Sequence, residues 1–228
     1  MRYFNLISDS DPKTIGVRNG VHQGEIKWSK FLNDKVQMDI LEYFSLEKYR
    51  TNMNEVKPYD FEIEYVEAYK SAKLTDFFTF TPRLWGIEFL ITENVKALLD
   101  KFCLPVHTYI PAQIYKKGKS YQYWALYIPY TYRLDSIDFK NTIFFKGSEL
   151  SGKEYLQFDN VEDWNKNKVF GVEKLCLNNN FKRTLNLFKI SFGGGGYYIS
   201  ESLKEAIGKA ELTGIVIKEP KEPELIIE

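Results

Sequence analysis

The sequence predicts an α+β fold with more strand than helix, and three observations predict it. Aromatic residues make up 16% of the 228 residues, with 16 Tyr and 17 Phe, and flat rings suit a half-buried pleated surface. Short aromatic and apolar runs recur along most of the chain, broken by turn residues. Only two stretches, 93–102 and 201–210, carry a clear helical period. The expected architecture is a single domain over residues 1–228, of mostly antiparallel short strands with two main helices.

The elements follow in order. Residues 1–34 read as a strand and then polar loop, with one or two helical turns between Lys27 and Leu32. KVQMDILEYF at 35–44 carries an extended apolar pattern. FEIEYVEAY at 61–69 is the cleanest strand: alternation places Phe61, Ile63 and Tyr65 on one face and Glu62 and Glu64 on the other. Strand material over 77–91 is broken by Pro82 and Gly86. The first helix has Thr92 as N-cap and Glu93 at the positive end of the helix dipole. Val95, Leu98, Leu99 and Phe102 make its apolar face, and Pro105 stops it. VHTYIPAQIY (106–115) and SYQYWALYIPY (120–130) flank KKGK, a hairpin turn. DFKNTIFF, EYLQF and VFGVEKLCL supply further strands up to about residue 177, and NNNFKR (178–183) is a polar loop. The tail at 220–228 is charged and broken by proline, hence extended or frayed.

Two segments, 78–104 and 186–212, align without a gap at an offset of 108 residues. Phe80 matches Phe188, Gly86 matches Gly194, Ile91 matches Ile199 and Thr92 matches Ser200. Beyond the cap, Glu93, Val95, Lys96 and Leu99 match Glu201, Leu203, Lys204 and Ile207. Capping rules alone impose part of this likeness. What exceeds them suggests a duplicated strand–helix–strand unit.

Composition narrows the function classes. Thirty-one basic residues balance 31 acidic ones, and phosphate binding calls for a basic excess or stripe, so no nucleic-acid partner is expected. Cys103 and Cys176 lie far apart among apolar residues and read as buried reduced thiols. The N-terminus lacks a secretory pattern and no apolar run spans a bilayer, so a soluble cytoplasmic protein without a membrane partner is expected.

Motifs for catalysis are sparse. His22 and His107 have no ligand at a familiar spacing, and no metal or other cofactor is expected. There is no G-x-S-x-G elbow. Gly118-Lys119-Ser120 ends like a phosphate loop, but Gln113 stands where its first glycine belongs and a strand follows. The glycine run 193–196 precedes a strand instead of opening a helix, so it reads as a turn or bulge. Two surfaces remain as partner-binding candidates. One is acidic: Glu62, Glu64 and Glu67. The other comprises Tyr121, Tyr123 and Tyr127, which alternation places on one face, either a second core or a binding surface.

The C-terminal third carries a family resemblance. Leu187-Phe188-Lys189-Ile190, a glycine-rich break, the run Tyr198 to Ile207 (YISESLKEAI) and Leu212-Thr213-Gly214-Ile215 follow one another there. Leu90-Ile91-Thr92-Glu93-Asn94-Val95 is a weaker earlier copy. This progression resembles a bacterial family first known as a domain of unknown function and later described as immunity proteins of polymorphic toxin systems. The resemblance implies an α+β fold, a cytoplasmic home and a cognate toxin domain as partner, and it supplies no catalytic residues. The expected function is therefore non-catalytic binding of a toxin. The alternatives are an enzyme with a dispersed carboxylate and aromatic site acting on sugars or nucleotides, and a sugar- or peptide-binding module.

Overall fold

The computed structural model describes residues 2–18, 20–45, 61–128, 134–167, 171–190, 196–220 and 224–227. Its strands are β1 (Tyr3–Ser8), β2 (Gly24–Ile26), β3 (Ile63–Ala68), β4 (Phe77–Phe78), β5 (Phe80–Thr81), β6 (Ile87–Ile91), β7 (Thr108–Lys116), β8 (Lys119–Tyr127), β9 (Ile143–Ser148), β10 (Gly152–Leu156), β11 (Gly171–Leu177), β12 (Leu187–Lys189), β13 (Tyr197–Ser200), β14 (Ile215–Lys218) and β15 (Glu224–Ile227). Its helices are α1 (Pro12–Ile15), α2 (Asp34–Tyr43), α3 (Glu93–Leu99), α4 (Val161–Asn165) and α5 (Glu201–Lys209), with short 3-10 turns at Trp28–Lys30 and Leu134–Ser136. The fold is α+β, with strands predominating.

The expectation of mostly antiparallel sheets is corrected, because the sheets are mixed. The largest runs β4-β6-β8-β7-β3-β2-β5, and within it β3 lies parallel to β7 and β2 parallel to β5. Its two ends, β4 and β5, are separated only by Thr79. One stretch of chain thus pairs first with β6 and then with β2, and the sheet curls into a nearly closed barrel. A second sheet runs β12-β13-β1-β14 and a third runs β10-β9-β11-β15. The third contains the parallel pair β11·β15, so residues 224–227 of the tail form a strand.

Residues 34–43 are helix, where extended structure was expected. Val36, Met38 and Ile40 alternate like a strand, yet Val36, Ile40 and Phe44 also recur at helical spacing. The side chain of Asn33 accepts from Lys35 N and opens α2. Ile40 and Phe44 are buried, while Met38 is 65% exposed. α2 is thus a third substantial helix. Elsewhere the reading of the chain agrees more closely. Lys117 (φ 50°) and Gly118 (φ 76°) make the turn between β7 and β8, the two left-handed positions of a type I′ hairpin.

Three large cores hold the layers together, beside a small cluster of Ile15, Val17 and Ala72. The barrel interior contains Ile63, Val66, Phe78, Leu90, Ile110 and Tyr127, with α2 over it. A central core lies between the barrel, the β12-β13-β1-β14 sheet and helices α3 and α5. The third core, with Tyr3, Phe144, Leu175, Phe188 and Tyr198, lies between the second and third sheets. Cys176 is buried and Cys103 half-buried, and both are free thiols.

The two similar segments form the same local structure. In each, an antiparallel strand pair is followed by a capped helix: β4·β6 then α3, and β12·β13 then α5. Phe78 pairs with Leu90 and Phe188 with Tyr198. Phe188 therefore corresponds to Phe78, where the ungapped alignment matched it to Phe80. The hairpin in the second segment is two residues shorter. Residues 193–195 of the glycine run lie outside the described residues. Ser200 caps α5 through its hydroxyl, which accepts from Leu203 N at 3.3 Å. Thr92 makes no such bond and donates to Asp76 Oδ1 instead, at 3.1 Å.

Candidate functional site

The outer face of β2, β3, β7 and β8 brings together half-buried Tyr65, Tyr115 and Glu25 with exposed Glu67 and Gln122. A β-bulge creates it. The β3–β7 register shifts between Ile63 and Val66, so both of those residues point inward although they are three apart. Tyr65 is thereby turned outward, away from the face that strict alternation assigned to it. There its ring stacks on that of Tyr115, with centroids 4.0 Å apart and planes 7° apart.

Acidic groups border this tyrosine pair. Glu67 lies opposite Tyr115 across β7 and opposite Glu25 across β2. Two carboxylates facing each other would repel. Lys27 relieves this: its ammonium is 2.6 Å from Glu25 and 3.9 Å from Glu67. The hydrogen bond to Glu25 raises the pKa of Lys27. The trio keeps one net negative charge. Gly24 permits the close approach of β2, since a Cβ there would lie 2.8 Å from Glu67 O and 2.9 Å from the Phe78 ring. On the β8 side, Gln113 Nε2 donates to Gln122 Oε1 at 2.5 Å, and Gln122 Nε2 donates to Tyr123 O at 2.8 Å.

Of the residues singled out from sequence, Glu67 belongs to this face. Glu64 accepts from Leu32 N and anchors the loop that follows the 3-10 turn at Trp28–Lys30. Glu62 is half-buried, and among the described residues its Oε1 has no hydrogen-bond partner. The tyrosine trio is split. Tyr123 and Tyr127 are each 4% exposed and line the barrel interior, so they offer no binding surface. The side of β8 that carries them faces the interior of the nearly closed barrel instead of solvent. Tyr123 Oη donates to Thr75 O at 3.0 Å, and burial raises its pKa above the ordinary phenol value. Burial, with the charge of Tyr43, pushes Tyr127 up to about 12. Tyr121, at the rim, is 37% exposed. Sequence reading missed Tyr65 and Tyr115, because a bulge has no residue signature and the partner of Tyr65 lies on a strand 50 residues away (65 to 115).

A second feature is a cleft of about 370 Å³ beside β5 and β6, with an apolar part at Val21, Phe80 and Ile87 and a polar part that includes His22, Arg83 and Glu88. Glu88 also pairs with the buried ammonium of Lys189 at 2.6 Å. His107 takes no part in either feature; its Nδ1 lies 2.9 Å from Pro105 O. Among the described residues, no three His, Cys, Asp or Glu side chains are placed to hold a metal ion, and no helix is long and apolar enough to cross a membrane. Comparison with protein-family models and with curated proteins finds no match for this chain.

Proposed function

We propose that this protein binds another protein without catalysis, and that its partner is a toxin domain it neutralises in the cytoplasm of the producing bacterium. The observation that carries the binding reading is the stacked Tyr65–Tyr115 pair on a rigid sheet, with Glu25 and Glu67 beside it. Stacked phenol rings present flat contact area with little rotamer freedom to lose, and such tyrosines are favoured at interface cores. The acidic border suits a basic partner, as many nucleic-acid-attacking toxins are, and speeds its capture. The sequence pattern of the C-terminal third, which resembles that of immunity proteins, is the support for a toxin as that partner.

The test is to look for a toxin domain encoded beside this gene and to co-express the chain with it. The chain should rescue growth and co-purify with that domain. Tyr65→Ala and Tyr115→Ala should each weaken the complex by about 2 kcal/mol, roughly thirtyfold, if these rings are interface anchors. Failure of both rescue and co-purification by the unaltered chain would end the toxin reading. Rescue that is indifferent to both tyrosines and to charge reversal at Glu25, Glu62, Glu64 and Glu67 would move the interface elsewhere.

The cleft beside β5 and β6 favours one other reading, a small ligand whose polar groups are held by His22, Arg83 and Glu88. Arg83→Ala should abolish any thermal shift that a library of sugars and nucleotides produces. A library that produces none removes this reading.

A further inference from the structure

The likeness between the two halves extends well beyond the segments that resemble each other in sequence. Residues 3–116 run strand, helical turn, strand, helix, strand, strand, strand, helix, strand: β1, α1, β2, α2, β3, β4, β6, α3, β7. Residues 119–227 run through the same series: β8, the 3-10 turn at Leu134–Ser136, β9, α4, β11, β12, β13, α5, β14. Among the described elements, β5, β10 and the 3-10 turn at Trp28–Lys30 fall outside the match, and β15 continues the path of β14, the two together standing for β7.

Pairing matches as well as order. In the first half β4·β6 is antiparallel, β7·β3 parallel and β3·β2 antiparallel. In the second, β12·β13 is antiparallel, β15·β11 parallel and β11·β9 antiparallel. The first strands are crossed over. β1 inserts between β13 and β14 of the second half, and β8 inserts between β6 and β7 of the first.

The crossed strands sit in equivalent surroundings down to single atoms. Ile91 pairs with Trp124, and Ile199 pairs with Phe4. Tyr109 pairs with Leu126, and Ile217 pairs with Leu6. Tyr123 Oη donates to Thr75 O at 3.0 Å, and Tyr3 Oη donates to Leu185 O at 2.9 Å. Thr75 and Leu185 are related by the same spacing as Phe78 and Phe188. Lys96 Nζ lies 5.3 Å from the centre of the Trp124 ring, and Lys204 Nζ lies 3.7 Å from that of Phe4. The anchors also cross. Asp76 Oδ2 accepts from Thr213 N, after α5, and Asn186 Oδ1 accepts from Cys103 N, after α3, both at 2.9 Å.

Capping chemistry accounts for two similar helices. It does not account for nine elements in one order, with matching pair directions and matching side-chain contacts to strands exchanged between the halves. We infer that the chain is two copies of one unit of about half its length, joined at the Lys117–Gly118 turn, and that each copy carries a slot for the first strand of a second copy. The surface is the pair of ladder edges flanking β1 and β8. The partner it fits is a Tyr-aromatic-x-Leu strand: Tyr3-Phe4-Asn5-Leu6 in one slot, Tyr123-Trp124-Ala125-Leu126 in the other.

Two experiments on the full chain test this. In the first, a protease site is placed in the Lys117–Gly118 turn, and folded protein is cleaved there. The halves should remain one particle on gel filtration and separate only in denaturant, because each fills the other's slot. Two folded particles of half size would overturn the exchange. In the second, residues 3–8 are replaced by those of 123–128 (F4W, N5A, I7Y and S8I), and a reciprocal variant puts residues 3–8 at 123–128. At least one of the two should melt cooperatively within about 10 °C of the parent, a shift of the size a few small packing changes produce. A control with the transplanted strand moved by one residue should not fold, because that slip turns every inward side chain outward. Failure of both in-register variants, or folding of the shifted control, would overturn the equivalence of the two strands.

Discussion

β7 and its counterpart in the second half do the same job with different continuity, and the difference changes the shape of each half. β7 is one nine-residue strand, Thr108–Lys116. It pairs with β8 along its length and with β3 near its end, so both ladders share one backbone. That continuity keeps β4 through β2 in a single sheet, whose twist brings β5 round beside β2 and nearly closes a barrel. In the second half the same path is split into β14 (Ile215–Lys218) and β15 (Glu224–Ile227), with Pro220 between them. Proline has no N–H to give to a ladder. One ladder ends at Lys218, the next resumes at Glu224, and two sheets form with a core between them. A single interruption in one strand thus separates a closed sheet from an open pair of sheets on the same topological plan.

Matched core substitutions strain this comparison most. Phe78 and Phe188 occupy corresponding positions, and both are fully buried, Phe78 in the barrel and Phe188 between the two sheets. Each change to Ala should cost about 3–5 kcal/mol. Closed and open halves that unfold as one unit should show these losses in a single denaturant transition with an unchanged slope. A second transition in either variant would mean that the halves unfold separately.

Alkaline pH is the next lever, and it acts on both halves. Burial pushes Tyr127 on the barrel side, and Tyr3 and Tyr198 between the open sheets, up to about 12. Unfolded phenols ionise near 10. Between those values the unfolded state has released protons that the folded state still holds. Stability is therefore complete below about pH 10 and declines as pH rises toward 12, by up to about 1.4 kcal/mol per pH unit for each such tyrosine. Denaturant melts from pH 9 to 12 should show this slope, and Tyr127→Phe and Tyr198→Phe should each flatten it. A flat profile would mean that these rings are accessible.

The smallest expected difference lies at the two helix caps. Ser200→Ala removes an N-cap acceptor and should cost about 1 kcal/mol. Thr92→Ala removes only a bond to Asp76 and should cost about 0.5 kcal/mol. Urea midpoints measured side by side will order them. Equal losses would show that Thr92 caps α3 in solution.

Much of the local structure was legible in the residues. The apolar faces of α3 and α5, the KKGK turn and the recurrence of Ile91-Thr92-Glu93 as Ile199-Ser200-Glu201 all depend on neighbours in the chain. Helical period, left-handed turn residues and capping are short-range physics. α2 was misread because Val36, Met38 and Ile40 alternate like a strand while Val36, Ile40 and Phe44 fit a helix, and the Asn33 cap together with contacts to the barrel core selects the helix. The candidate face was half legible. Glu67 was identified, while Tyr65 was placed on the same face as Phe61 and Ile63, and Tyr123 and Tyr127 were left between core and surface.

By itself, then, the sequence determined the α+β character, the strand-rich composition, two of the three larger helices among the described residues and a partial repeat, because propensity and periodicity act over a few residues. Only the tertiary structure decided that one sheet would close, that β1 and β8 would cross between halves, and that Tyr65 would meet Tyr115. These outcomes depend on hydrogen-bonded ladders between strands up to about 200 residues apart, such as Tyr3 opposite Ser200. A strand's pattern of inward and outward residues is the same whichever neighbour it pairs with, so it does not name that neighbour. Register, bulge and closure emerge when the shared core between the two halves is packed.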